Sequence, residues 1–290
     1  MRQRLRIRVP ALRFAHAALV LILLGGCEST GLRNYNHTAA TLGFSALELS
    51  GDRFRHRVYA NSAAVQARSP ARPLHVYIDG DGIPWRGTGR PALDPTARNP
   101  LLLRLMARDH GPAVYMGRPC YLGVYDARQC HPWIWTHGRY SEPVVNSMVA
   151  AVRAAAARYG ARDLVLIGFS GGGSLAMLMA ARLEEVTEVV TLAANLDLRA
   201  WTAEHGYSPL HGSLDPAQLA PLPTHVRQRH WVGADDRQVP PDVVRQGLMG
   251  QPGAQLEIIP GFDHTCCWEA AWPGLLEREM PLIPRQPPAG

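Results

Sequence analysis

The sequence predicts an α/β protein with a doubly wound, mostly parallel sheet, and three observations favour this class. The chain has 290 residues, of which 47% are hydrophobic and 19% charged, so it can bury a large core. From Leu74 onward, strand-like apolar runs alternate with helix-like stretches. The run from Leu164 to Ile167 is continuously apolar, as in a strand buried on both faces.

Each element of this alternation follows from a local pattern. The 74–78 run ends at Asp79-Gly80-Asp81-Gly82, which favours a turn. The 141–159 segment has apolar residues at spacings of three and four, with Ser141 as a start and Gly160 as a stop, which indicates an amphipathic helix. The remaining predicted strands are 113–116, 163–168, 186–193, 229–232 and 255–259, and the remaining helices are 101–106, 171–183, 241–249 and 265–279.

Two regions depart from the alternation of strands and helices. Residues 27–45 are predicted to be a tether that leads into a first strand, with a second strand at 57–61, so the folded domain is expected to span 46–290. Residues 195–224 are rich in Pro, Gly and His and lie where a doubly wound enzyme would carry an insertion above its sheet. We expect this segment to form a small cap or a substrate loop.

The first 26 residues have the pattern of a secretory signal. They are arginine-rich at the start and continue with an apolar run from Phe14 to Leu24, which is too short to span a bilayer as a helix. The sequence Leu24-Gly25-Gly26-Cys27 resembles the lipobox of bacterial lipoproteins, a resemblance that implies acylation of Cys27 and anchoring to the cell envelope, with the outer membrane and periplasm favoured. The alternative is an ordinary signal peptide that leaves Cys27 as an odd thiol.

The charge and the cysteines limit the function classes further. The formal net charge of +6 comes mostly from arginines before Cys27, and the rest of the chain has no basic stripe with interleaved aromatics, so we expect no nucleic-acid partner. In an exported protein the four other cysteines are expected to form disulfides, and three connectivities are open. We favour Cys120 with Cys130, which leaves Cys266 and Cys267 as a vicinal pair or as free thiols; a metal site is disfavoured because the spacing lacks a CxxC pair.

The main chemical motif is Gly168-Phe169-Ser170-Gly171-Gly172, which matches G-x-S-x-G. It follows a predicted buried strand and opens a predicted helix, the setting that exposes a nucleophilic serine on a strained turn. The alternative, a phosphate-binding glycine loop, lacks the Lys or the G-x-G-x-x-G frame that such loops need. We therefore expect Ser170 to be a nucleophile and the N–H of Gly171 to donate to the oxyanion.

A serine nucleophile needs a base and an orienting carboxylate further along the chain. His264 is the candidate base because it follows a predicted strand and precedes the last helix. Asp235 and Asp236 follow the 229–232 strand and are the candidate acids. Asp197 and Asp263 are more distant alternatives.

With Ser170, an acid and His264 in this order, the chain resembles the α/β-hydrolase superfamily of serine esterases and lipases over roughly residues 74–279. The resemblance implies that Asp236 is the acid rather than Asp235. It also implies that the loop after the third strand supplies a second oxyanion donor, from Asp81 or Gly82.

The resemblance implies hydrolysis of a small-molecule carboxylic ester, or of a related acyl bond such as a thioester or an amide, through an acyl-enzyme, without cofactor or metal. Two other functions remain open: a non-catalytic envelope lipoprotein that binds an acyl ligand, and an acyltransferase that differs only in its acceptor.

Overall fold

The computed structural model describes residues 29–66, 72–87 and 89–279. The predicted signal segment and Cys27 lie outside these ranges. The predicted α/β architecture is confirmed: an eight-stranded sheet has helices on both faces, and two short strands, β4 Trp85–Arg86 and β5 Arg90–Pro91, form a separate hairpin. The strands are β1 Ser45–Ser50, β2 Arg55–Ala60, β3 Leu74–Ile78, β4 Trp85–Arg86, β5 Arg90–Pro91, β6 Ala113–Met116, β7 Leu164–Phe169, β8 Val186–Leu192, β9 Arg227–Gly233 and β10 Ala254–Ile259.

The order of the strands in the large sheet is β1-β2-β6-β3-β7-β8-β9-β10. The first two pair antiparallel, and all strands from β6 to β10 run parallel. From β3 the chain crosses to β6 on one side and then returns to β7 on the other side. Because connections leave in opposite directions there, a crevice forms beyond the carboxyl ends of β3 and β7.

The helices cover the sheet through apolar faces. The helix Glu142–Tyr159, named α4, buries the residues that face the core; Ser141 precedes the helix and Gly160 ends it with φ of 66°. The helices are α1 Thr30–Thr41, α2 Ser62–Gln66, α3 Leu101–Met106, α4 Glu142–Tyr159, α5 Gly171–Ala180, α6 Leu198–Glu204, α7 Pro241–Gly247 and α8 Trp268–Glu279. Single 3₁₀ turns occur at Pro132–Trp135 and Pro216–Gln218. Within the described ranges, no helix is long and apolar enough to cross a membrane.

The structure corrects the prediction of a tether for residues 30–41, which form α1. Ser29 caps the helix by accepting the N–H of Leu32 at 3.2 Å, and Tyr35 and Ala39 are buried against the domain. Tyr35 also donates its hydroxyl to Asp79 at the end of β3. The helix is therefore held by tertiary contacts, which a periodicity search of its mostly polar sequence does not detect.

The favoured disulfide between Cys120 and Cys130 is confirmed, with Cα atoms 5.6 Å apart. The structure also pairs the adjacent residues Cys266 and Cys267. This vicinal pair lies between the loop of His264 and the start of α8.

Candidate active site

Ser170 is the sharp turn between β7 and α5. Its φ of 52° and ψ of −125° place a non-glycine residue in a sparsely populated backbone region. The turn is held from both sides, because the N–H of Ser170 donates to the carbonyl of Leu192 at 2.9 Å and its own carbonyl accepts the N–H of Gly173 at 2.9 Å. Such strain persists where the surrounding structure enforces it, and here it presents the serine at the carboxyl edge of the sheet.

Glycines on either side of Ser170 are a steric requirement of this turn. A Cβ on Gly172 would overlap the carbonyl oxygen of Ile78 at the end of β3, and a Cβ on Gly168 would overlap the backbone of Gly172. The pattern that the sequence shows around Ser170 thus results from the close approach of β7, α5 and β3.

His264 and Asp236 lie together near this turn. The Nδ1 of His264 is 2.9 Å from the Oδ2 of Asp236, whose side chain is fully buried. The Oδ1 of the same carboxylate accepts the backbone N–H groups of Gln238 at 2.9 Å and Val239 at 2.8 Å. Because both oxygens have donors, the carboxylate is fixed and can orient the imidazole.

The imidazole is also held by its surroundings. The indole of Trp268 donates to the carbonyl of His264 at 3.1 Å, and the ring of Phe169 lies 5.0 Å from the imidazole ring. These contacts leave Nε2 as the ring nitrogen available to the cavity.

The other candidate acids have different roles. Asp235 is exposed, and its N–H donates to the carbonyl of Phe262. Asp197 caps α6 by accepting the N–H of Ala200 at 2.8 Å. Asp263 accepts the N–H groups of Cys266 and Thr265, which lower its pKa. The structure therefore brings His264 together with Asp236.

A cavity of about 1040 Å³ opens over the carboxyl edge of the sheet and is lined by both Ser170 and His264. The 195–224 segment forms part of its wall through α6 and the loop that follows. The β4–β5 hairpin contributes another part. Residues that line these walls include Trp85, His137, Trp201, Tyr207, Ser208 and Leu210.

Residues 79–82, here named the oxyanion loop, follow β3 and run past the serine. A Cβ placed on Gly80 would lie 3.1 Å from the Cβ of Ser170, so the backbone of the loop passes directly beside Ser170. Gly82 has φ of 65°, the left-handed region that glycine tolerates. On the other side of the serine, Gly171 begins α5, and the first N–H groups of a helix have no acceptor within the helix. Donors for an oxyanion can therefore come from both sides of Ser170.

The two carboxylates of the oxyanion loop have opposite pKa shifts. Asp79 is buried, which raises its pKa, although it accepts hydrogen bonds from Tyr35, Tyr115 and its neighbour Gly80. Burial would also raise the pKa of Asp81, but the guanidinium groups of Arg139 and Arg118 outweigh it and hold that pKa well below its usual range. Asp81 is therefore an ion-paired carboxylate, whereas burial favours the protonated form of Asp79.

The two arginines around Asp81 were not anticipated. Arg118 comes two residues after β6, which is the parallel neighbour of β3. Because the carboxyl ends of adjacent parallel strands lie side by side, this position predicts that Arg118 lies near the loop after β3. Arg139 lies in a loop between a 3₁₀ turn and α4, where no pattern marks it. Among the residues that the structure describes, no group of three or more His, Cys, Asp or Glu side chains is arranged to hold a metal ion.

Neither a family model nor a curated protein matches the chain. Solved structures do. A bacterial membrane phospholipase A has 18% identity and a TM-score of 0.53 and covers 87% of this chain and 92% of its own. A lid-free serine hydrolase from Xanthomonas campestris has 17% identity and a TM-score of 0.53 with coverages of 83% and 97%. Carboxylesterase CesB from Bacillus subtilis has 13% identity and a TM-score of 0.55 with coverages of 88% and 99%. The fold of this chain is therefore the α/β-hydrolase fold.

Proposed function

We propose that the protein is a serine hydrolase that cleaves carboxylic esters through an acyl-enzyme on Ser170. The observation that carries this proposal is the strained Ser170 near the half-buried His264, which is paired with the buried Asp236; all three lie at one edge of the sheet, and Ser170 and His264 line one cavity. The fold adds support, since proteins with this architecture include a carboxylesterase and a phospholipase A.

The chemistry follows from the geometry. The Nε2 of His264 takes the proton of the Ser170 hydroxyl while Oγ attacks the ester carbonyl, and Asp236 stabilises the imidazolium. The oxyanion accepts hydrogen bonds from the N–H of Gly171 and from the oxyanion loop. The proton on His264 then passes to the leaving alkoxide, which gives an alcohol and an acyl-enzyme. Water repeats the sequence, with His264 as base, and releases the carboxylic acid and the free serine.

The leader sequence supports a location for this activity. The Cys27 site would attach the enzyme to the cell envelope by acyl chains and present the cavity to substrates there. Replacement of Cys27 by Ser is expected to move the protein from the membrane fraction to the soluble fraction. Retention of the variant in the membrane fraction would reject the anchor without affecting the proposed chemistry.

The test is labelling of the purified protein with a fluorophosphonate probe. We expect the wild type to react and Ser170→Ala and His264→Ala to lose the label. Ser208→Ala is the matched control because Ser208 lines the same cavity on the 195–224 segment, and it should label as the wild type does.

The outcomes separate the functions that remain open. A folded wild type that stays unlabelled and cleaves no p-nitrophenyl ester would reject the hydrolase and favour an acyl-binding lipoprotein. Labelling with product found mainly on an added alcohol, rather than as free acid, would favour an acyltransferase on the same acyl-enzyme.

A further inference from the structure

The oxyanion loop places a carboxylate beside the nucleophile, where its charge opposes an oxyanion. Asp81 accepts hydrogen bonds from Nη1 of Arg118 and Nη1 of Arg139, each at 2.6 Å, and from the hydroxyl of Tyr140 at 2.7 Å. We name Arg118, Arg139 and Tyr140 the clamp. The two guanidinium groups give this cluster a net positive charge, so the unfavourable field of Asp81 is reduced.

The clamp is itself rigidly held. Arg118 is 3% exposed and Arg139 is 4% exposed, while Tyr140 is fully buried. Arg118 donates to the carbonyl of Arg139 at 2.9 Å, and Arg139 donates to the carbonyl of Thr136 at 2.6 Å. The guanidinium of Arg118 also lies 5.3 Å from the ring centre of Tyr140. Because these groups are buried and both arginines also donate to backbone carbonyls, they fix the position of the carboxylate that accepts from them.

The backbone of Asp81 is held as well. Its carbonyl accepts the hydroxyl of Tyr121 at 2.9 Å, so its side chain and its carbonyl are both fixed. The preceding residue, Gly80, passes beside Ser170. The peptide between Gly80 and Asp81 thus lies next to the nucleophile, and its N–H belongs to Asp81.

The clamped carboxylate also explains why the residue after Ser170, the second x of the G-x-S-x-G motif, is a glycine. A Cβ placed on Gly171 would overlap Oδ1 of Asp81 and the hydroxyl of Tyr140. The space beside the first residue of α5 is therefore occupied by the Asp81 side chain. The two sources of oxyanion donors, Gly171 and the oxyanion loop, are packed directly against each other.

We infer that Asp81 is a positioning residue: its carboxylate, held by the clamp and packed against Gly171, fixes the oxyanion loop so that the N–H of Asp81 points at the developing oxyanion. This inference rests on the proposed function and adds to it the group that sets the second donor. A donor that is already oriented costs no reorganisation during the reaction, and misplacement by about 1 Å is enough to reduce rates about 100-fold.

The experiment uses two variants and a matched control in the full-length protein. Tyr140→Phe removes one donor to Asp81 and keeps the ring, and Asp81→Asn removes the charge and keeps the shape. Tyr77→Phe is the control because Tyr77 is also fully buried and donates its hydroxyl to a buried carboxylate, that of Asp109, at 2.7 Å. The readouts are kcat, KM and the inhibition constant of an alkylboronic acid, whose tetrahedral adduct on Ser170 carries the oxyanion-like charge.

We expect kcat to fall about 10-fold in Tyr140→Phe and about 100-fold in Asp81→Asn, with KM within about twofold and the boronic acid weakened by the same factors as kcat. Tyr77→Phe should leave all three values unchanged. Unchanged kcat in Tyr140→Phe, or an equal loss in Tyr77→Phe, would overturn the inference even if Asp81→Asn does not fold. A wild type that neither labels nor turns over would instead overturn the proposed function, and this inference with it.

Discussion

Two His–Asp pairs lie at opposite ends of the strands of the same sheet, and the histidine of one pair lines the same cavity as Ser170. At the carboxyl edge, Nδ1 of His264 is 2.9 Å from Oδ2 of Asp236. At the amino edge, Nδ1 of His75 is 2.6 Å from Oδ2 of Asp109. The same atoms meet at similar distances, and both aspartates are buried. The geometry of the pair is therefore not what distinguishes the candidate active site.

The difference lies in what surrounds each pair. Asp109 also accepts the hydroxyl of Tyr77 at 2.7 Å and the N–H of Gly111 at 2.8 Å, so it ties the loop before β6 to β3. Its cavity is about 310 Å³, against about 1040 Å³ over Ser170. The residues described along the smaller cavity include no serine or cysteine. A His–Asp pair thus stabilises a loop in one place and, we propose, activates a strained serine in the other.

The largest expected effect is a difference in kcat between variants of Asp236 and of Asp109. Asp236→Asn should lower kcat about 10³- to 10⁴-fold because the imidazole loses its orienting anion. Asp109→Asn should leave kcat within about twofold and lower the free energy of unfolding by about 1–3 kcal/mol, because a buried hydrogen-bond network is weakened.

Ester turnover and denaturant unfolding of both variants measure this contrast. Equal losses of kcat would show that the amino-edge pair also contributes to catalysis, and the comparison would then fail. Ser170→Ala is the reference for complete loss of turnover.

A smaller effect is expected at two glycines: Gly171, next to Ser170, and Gly111, next to the His75–Asp109 pair. Gly171→Ala would press a methyl group into Asp81 and Tyr140, so we expect a loss of about 1–3 kcal/mol in stability and at least about a tenfold loss in kcat. A Cβ on Gly111 would lie 3.2 Å from Oδ1 of Asp109 and Cε1 of His75, a tight contact that small shifts relieve. Gly111→Ala should therefore cost less than about 1 kcal/mol and leave kcat unchanged.

Thermal melting and kcat of the two alanine variants test this prediction. If Gly171→Ala keeps both wild-type values, the packing of Asp81 against α5 is not needed for catalysis.

The parts of the fold that the sequence predicts are those with a local cause. The buried strands are continuous apolar runs, and α4 carries both its periodicity and its stop at Gly160. Ser170 is predictable for the same reason, because its flanking glycines are local consequences of a close approach. The loop of His264 follows a recognisable strand, and the resemblance to a known superfamily selected Asp236 over its neighbour.

The parts that were missed depend on distant contacts. Helix α1 is mostly polar and is held by Tyr35 against Asp79, a residue 44 positions away. Arg118 and Arg139 meet Asp81 across separations of 37 and 58 residues. No local sequence pattern predicts these long-range contacts. Once the strand order is known, the adjacency of β3 and β6 does predict that Arg118 lies near Asp81.

The last expected effect is on stability alone, and it concerns buried histidines that have neutral partners instead of a carboxylate. His56 contacts the carbonyl of Gly117 and the hydroxyl of Ser147, and burial lowers its pKa to about 4. His230 contacts the hydroxyl of Thr191, and burial lowers its pKa to about 3. Both imidazoles are therefore neutral in the folded protein at neutral pH.

The sign of the pH dependence follows from these shifts. Between about pH 6.5 and pH 4 the unfolded chain binds protons on these histidines and the folded protein does not, so the free energy of unfolding falls as the pH falls. Each histidine contributes up to about 1.4 kcal/mol per pH unit. The raised pKa of Asp79 acts in the opposite direction, since its contribution is lost as the pH rises.

Asp79 contributes equally to the wild type and to a histidine variant, so its effect cancels when the pH slopes of their unfolding free energies are subtracted. Denaturant unfolding at pH 7, 6 and 5 should show a pH slope in His230→Gln that is smaller than that of the wild type by up to about 1.4 kcal/mol per unit. His225→Gln, at an exposed histidine just before β9, should keep the wild-type slope. An unchanged slope in His230→Gln would mean that the folded protein protonates His230 as readily as the unfolded chain does, and burial alone would then not keep an imidazole neutral in this core.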